Sequence, residues 1–380
     1  MTTATTTRDA QLLGGLTPEA WDRIVGSNFY STARWLDLCV MHGGADPGAV
    51  VHFTDGEPTA VVPYSALSAP PSPLYRWNDL LAERGLPELA PSGLLVGPRQ
   101  GYRTQFLVRP GTDHTTAVAH LVGELRAAAG DGACVAAYVP TSDARALVAG
   151  GATAQPVLLE TDAWLEVPPG GWDGWLESFT SRRRRNILRE AARFHEAGYT
   201  IVRRPLTECY EQLPALAGAT QAKYGQVAAT GDWLALLKMH VAAMGQAAQV
   251  ALCVRGDSDP FGFCLYYVWG DTLFLRWGGL DYPRLVGAAE YFNVMYYSQA
   301  ALAPELGVRW IHAGIKSPDA KALRGAELRP LWLVDLAEDS PLAQERDAVR
   351  RHNRLAYERL KADSRTRGAL SSDDEWLAFS

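Results

Sequence analysis

The chain has 380 residues, 47% of them hydrophobic and 21% charged, with a formal net charge of −6. That length exceeds one ordinary core and predicts two domains, and the composition is that of a soluble globular protein. The acidic balance counts against nucleic acid as a partner of the whole surface. Met1 to Arg8 is polar, so no secretory signal is expected, and no apolar run reaches the length of a membrane span. Five dispersed cysteines without a CxxC pair predict a reduced, cytoplasmic protein rather than a disulfide frame or a zinc site.

In chain order, Thr17-Pro18-Glu19 reads as a helix start and Phe29 to Leu38 repeats apolar side chains at helical spacing. Strands follow at Ala49–Thr54 and Ala60–Tyr64, joined by the hairpin signal Asp55-Gly56. Leu94–Pro98 and Thr104–Val108 are strand pieces, Thr115–Ala129 a helix, Val135–Val139 a strand, Ser142–Gly150 a helix and Val157–Val167 a strand. This alternation predicts a mixed sheet with helices on it. Pro168-Pro-Gly-Gly171 punctuates the chain and sets the expected boundaries: one domain over 1–167, a second over 168–340, and a helix with a polar tail over 341–380.

A basic segment opens the second domain, Ser181-Arg-Arg-Arg-Arg185-Asn-Ile-Leu-Arg189-Glu-Ala-Ala-Arg193-Phe194, closed by Gly198. At about 100° per residue, Ile187, Leu188, Ala191 and Phe194 gather on one helix face. Arg182, Arg185, Arg189 and Arg193 gather on the opposite face, a stripe of one sign suited to phosphates. After the strand Tyr199–Arg203 come a helical stretch, the polar turn that carries Lys223 and Tyr224, the helix Trp233–Met244, and strands at Gln249–Arg255 and Phe261–Trp269.

Residues 271–330 hold the densest set of candidates. Asp271–Trp277 alternates as a strand, and Gly278-Gly279 is expected to break its ladder and leave N–H groups for an oxyanion. The turn Asp281-Tyr-Pro283 leads to Arg284-x-x-Gly287-x-Ala289 and a helix from Glu290 to Ala303. A glycine turn before a helix start is a natural anion cradle. Val308–His312 is a strand, and Lys316, Lys321 and Arg324 follow on a connection where they are placed to hold a phosphate or carboxylate.

These residues resemble the GNAT superfamily, and within it the Fem-like, peptidoglycan-biosynthesis-like branch. Arg284-x-x-Gly287-x-Ala289 has the form of the GNAT donor-binding motif. The branch resemblance rests on Ser181–Glu190, Lys223-Tyr224-Gly225, Glu290–Tyr297 and Lys321–Gly325, in that order and spacing, and in the first half on Phe29–Trp35. It implies an α/β fold of two tandem GNAT-like domains, each a mixed, mostly antiparallel sheet flanked by helices. It also implies amide formation by acyl transfer, with aminoacyl-tRNA or acyl-CoA as co-substrate and no tightly bound cofactor. The chain lacks the long helical hairpin that some Fem proteins insert, and it keeps a turn that a tRNA user would not require.

Acyl transfer to an amine needs an uncharged amine, a stabilised oxyanion and a protonated leaving group. Glu290, Asn293 and Tyr297 share one helix face. Glu290 is the first candidate to orient or deprotonate the amine, Asp281 the reserve, and Tyr291 and Tyr297 are candidate proton donors. Arg276, Trp277, Asn293, Lys223, Tyr224, Lys316, Lys321 and Arg324 are candidate substrate contacts. No HxxxH or HxH pair, no GxSxG elbow and no cysteine signature appears, so neither a metal nor a covalent nucleophile is expected. Three readings stand: an aminoacyl-tRNA-dependent aminoacyltransferase acting on a small-molecule or peptide amine, an acyl-CoA N-acyltransferase, and a non-catalytic binding protein on the same fold. The expected state is monomer or homodimer.

Overall fold

The computed structural model describes residues 11–69, 71–223, 225 and 230–380. The chain divides into two compact units, one formed by the described residues up to Asp162 together with Leu328–Ser380, the other by Ala163–Glu327. Both divisions fall inside strands, at 162/163 and 327/328, where the sequence analysis placed them at Pro168–Gly171 and after residue 340. Proline and glycine mark a break in local structure. The division of the core follows long-range pairing, which they do not report.

In the first unit β1 (Ala45–Thr54) and β2 (Glu57–Leu67) form a hairpin around Asp55 and Gly56, both at positive φ as a tight turn demands. The sheet then runs through β3 (Gly93–Val96) and β5 (Ala133–Pro140) to β12 (Ala326–Asp335), with the short β4 (Leu107–Val108) beside β2. β3 and β5 pair in parallel, across a connection that contains the helix His114–Ala129. Every residue of β5 is buried, which is why Ala133-Cys-Val-Ala-Ala-Tyr-Val139 reads as a continuous apolar run.

The end of the chain belongs to this unit, where the sequence analysis expected a separate helix and polar tail. Asn353, on the helix Arg346–Ala362, is fully buried. Its Oδ1 accepts from the Leu158 amide at 2.7 Å, and its Nδ2 donates to the carbonyls of Pro156 (2.9 Å) and Phe379 (2.7 Å). Trp376 is buried against Tyr357, with ring centroids 5.9 Å apart. One buried amide thus fastens three segments, and an amide buried in apolar surroundings demands such partners.

The second unit orders its strands β6 (Val157–Glu166, from Ala163 on), β11 (Trp310–Gly314), β10 (Thr272–Leu280), β9 (Gly262–Trp269), β8 (Gln249–Val254) and β7 (Thr200–Pro205). Among the described residues of these strands, β10 and β11 alone are parallel neighbours. Each unit is therefore a mixed, mostly antiparallel sheet flanked by helices, the fold class expected. The parallel pair lasts three residues, Thr272↔Trp310 to Phe274↔His312. Beyond Phe274 the strands part: β10 runs on to Leu280 alongside β9, while β11 ends at Gly314.

Gly278 and Gly279 do not break the ladder. They pair with Cys264 and Phe263, and the irregularity lies earlier, a bulge between Leu275 and Trp277. The glycines are there for close approach. A Cβ on Gly279 would stand 2.6 Å from the Leu216 carbonyl carbon and 2.7 Å from the Ala217 amide nitrogen, so the helix Pro214–Lys223 lies directly on the strand.

Helix 290–302, which carries the chain from β10 to β11, is not uniform. One α-turn, Glu290–Phe292, gives way to a π segment, Asn293–Tyr297, before α geometry resumes at Ser298–Leu302. A π segment widens the helix and turns its side chains away from the regular wheel.

Candidate functional site

The arginine helix Ser181–Glu196 is capped by Thr180, whose side chain accepts from the Arg183 amide. Ile187 and Phe194 are buried on its inner face. Arg182, Arg185, Arg189 and Arg193 are all exposed, as the wheel predicts. Leu188 departs from the expected apolar face, since its side chain is 44% exposed. It borders a groove of about 720 Å³ together with Trp172, Ala192, Ile201, Asn293 and Tyr297.

Arg183 and Glu190 fall on the inner face with Ile187 and Phe194, and with them the structure builds a polar cluster at the groove wall. Tyr297 donates its hydroxyl to Glu190 Oε2. Arg324, 4% exposed, brings Nη2 to within 3.4 Å of the same oxygen and lays its guanidinium 3.2 Å over the Phe292 ring. Asn293 Nδ2 donates to the carbonyls of Glu190 (3.3 Å) and Ala289 (3.0 Å). Arg183 donates to the Leu323 carbonyl. Burial lowers its pKa, and so does the guanidinium of Arg324, against the pull of Tyr297 and Glu190. Burial pushes the Tyr297 phenol well above its ordinary value, Arg324 opposes, and the bond to Glu190 adds to the rise. The phenol is thereby held protonated.

Sequence reasoning brought Tyr297, Asn293 and Arg324 to this place and missed Glu190 and Arg183. The signal was there, because residues 183, 187, 190 and 194 share one helix face, so an Arg and a Glu stand in line with a buried Ile and Phe. A charge on a buried face must have partners.

Glu290 sits elsewhere. It is 3% exposed and its Oε1 accepts from the Val286 amide at 2.9 Å, so it ties the turn before the helix and does not look into the groove. The expected common face of Glu290, Asn293 and Tyr297 is lost because π geometry intervenes after Phe292. Within the turn, Gly287 has φ 75° with open space at its Cβ position, and Ala289 has φ 59°. Arg284 pairs with Asp281 at 3.4 Å and lies over Phe261. Arg193 donates to the Gly287 carbonyl at 2.7 Å.

Of the remaining candidates, Lys321 is 5% exposed and donates to the carbonyls of Gly314 (2.9 Å) and Ile315 (2.6 Å). It thereby braces a turn in which Lys316 and Ser317 both take positive φ. Lys316 itself is exposed. Arg276 is buried at the strand bulge and lies 4.7 Å over Trp277, whose ring also meets Trp233 and His240. Tyr291 is half-buried beside Tyr296, and exposed Lys223 lies 4.1 Å over Tyr282. Tyr224 lies outside the described residues. All five cysteines are buried and none is joined in a disulfide. No helix among the described residues is long and apolar enough to cross a membrane.

No protein-family model and no curated protein matches the sequence. Solved structures do match. FemX superposes with a TM-score of 0.61 over 87% of this chain and 98% of its own, at 12% identity. The chain has the fold of FemX. Two further structures share the FemX-like fold at 12% identity. L-PGS from Bacillus licheniformis has a TM-score of 0.55 over 88% of this chain and 96% of that one. The C-terminal domain (DUF2156) of a putative lysylphosphatidylglycerol synthetase from Agrobacterium fabrum has 0.53 over 86% and 94%. At that identity the FemX likeness fixes the fold, and chemistry has to be argued from this chain's own residues.

Proposed function

We propose that the chain is an acyltransferase that forms an amide, moving an aminoacyl group from aminoacyl-tRNA to an amine of a small molecule or peptide. The observation that carries the reading is the stripe of Arg182, Arg185, Arg189 and Arg193, all exposed on one face of one helix in a chain of net charge −6. Phosphate contacts supply most sequence-independent affinity for nucleic acid, and an acidic protein must concentrate its cations to gain it. The FemX-like fold supports acyl or aminoacyl transfer in general.

In the reaction the amine nitrogen attacks the ester carbonyl carbon. The C–N bond forms, the C–O bond to the tRNA ribose breaks, and the proton lost by nitrogen ends on the ribose oxygen. Tyr297 and Glu190 are the proposed route for that proton, since the phenol stands at the groove wall on a carboxylate that also pairs with Arg324. The parted edge of β10 beyond Phe274 is the proposed source of backbone donors for the oxyanion.

The second reading, N-acylation from acyl-CoA, draws on the Arg284-x-x-Gly287-x-Ala289 turn. The experiment is incubation with charged total tRNA or with acyl-CoA pools, an amine pool, and mass spectrometry of the new amide. Product that vanishes with RNase supports the tRNA donor. Product that survives RNase and needs acyl-CoA overturns it. Ligand binding without product from any donor makes the chain a binding protein.

A further inference from the structure

The turn that resembles a diphosphate cradle already holds an anion, and the anion is its own. Glu290 places Oε1 2.9 Å from the Val286 amide nitrogen, accepting one of the N–H groups that such a turn would offer to a phosphate. The carboxylate is 3% exposed, too buried to swing out into solvent without opening the turn. Its field reaches Tyr199, whose phenol is pushed up by burial and next by Glu290. Arg284, the cation of the motif, is engaged with Asp281 at 3.4 Å and stacked 4.1 Å over Phe261.

We propose that Glu290 closes the Arg284–Ala289 turn against coenzyme A and other diphosphate donors, acting as a specificity determinant that leaves the arginine stripe to hold the donor. A diphosphate entering the turn would lose the Val286 amide to Glu290 and stand beside a buried like charge. The inference shares with the proposed function the view that the donor is not coenzyme A, but its test reads binding alone, without tRNA or turnover.

Coenzyme A is titrated calorimetrically into wild type, Glu290→Gln and Glu290→Ser, each first checked by circular dichroism. Wild type is expected to show no saturable binding up to about 1 mM ligand. Removal of the charge should tighten binding by roughly tenfold or more. Saturable binding to wild type in the micromolar range overturns the proposal, whatever the variants do. So does a folded variant of either kind that binds no better than wild type. Should both variants fail to fold, the wild-type titration still decides. Loss of the tRNA reading in the RNase experiment would leave this result standing, and the reverse also holds.

Discussion

Replacing Arg185 and Arg189 together with glutamine tests the donor directly. The stripe spans residues 182 to 193, a rise of roughly 16 Å at 1.5 Å per residue. Double-helical nucleic acid carries about one charge per 1.7 Å of axis, so four contacts are accommodated with room to spare. Each neutralised phosphate adds about 0.9 to the slope of log affinity against log salt on a duplex and about 0.7 on a single strand. Four contacts on a duplex cost about 150-fold in affinity between 50 and 200 mM salt, and two cost about 12-fold. Filter binding of labelled aminoacyl-tRNA at those two salt concentrations resolves the difference. Both side chains are exposed, so stability should change by no more than about 0.5 kcal/mol. An unchanged slope in the double variant, with binding intact, refutes the assignment of the stripe.

Other expectations follow from the packing and the titrating groups. Tyr297→Phe removes the hydroxyl from Glu190 and should lower turnover by about 10²-fold, with a stability loss of about 1 kcal/mol in urea; equal turnover would take Tyr297 out of the proton route. Gly279→Ala forces the helix Pro214–Lys223 off its strand and should cost about 1–3 kcal/mol, whereas an unchanged urea midpoint would contradict the close approach. Lys321→Met leaves the carbonyls of Gly314 and Ile315 without their ammonium and should destabilise by about 2 kcal/mol, read from the same denaturation curve. Burial pushes the Cys134 and Cys253 thiols up to about 12 and Cys209 to about 11. The folded state holds these protons while an unfolded thiol releases its own near 9. Their stabilising contribution is therefore complete below pH 9 and lost progressively toward pH 12; a urea midpoint constant over that range would contradict it.

What the sequence disclosed was what depends on near neighbours. The apolar run of β5, the Asp55-Gly56 hairpin and the arginine wheel are all local patterns, and each appears where the pattern put it. The candidate site was half legible for the same reason. Asn293 and Tyr297 were found as a helical pair, but their partner Glu190 lies more than a hundred residues away in sequence, and no local pattern reports such a distance. A regular wheel groups Glu290 with Asn293 and Tyr297, and the π geometry of the backbone from Asn293 to Tyr297 separates them. The two glycines of β10 read as a break because a missing side chain looks the same in sequence whether it frees the backbone or lets a neighbour press against it.

The division of the chain at Asp162 and Leu328 has a consequence for synthesis. The unit that holds the arginine helix is one uninterrupted stretch, and its whole sequence has left the ribosome before the other unit possesses its last strand. That other unit waits for β12 to pair with β5 and for Asn353 to reach Pro156 and Leu158, contacts nearly two hundred residues apart. Entropy of closing so large a loop delays such contacts relative to local ones. The segment translated earlier is thus the one that finishes folding later, and a nascent chain that has exposed residues only as far as Glu327 would display one complete unit and another still without most of β12.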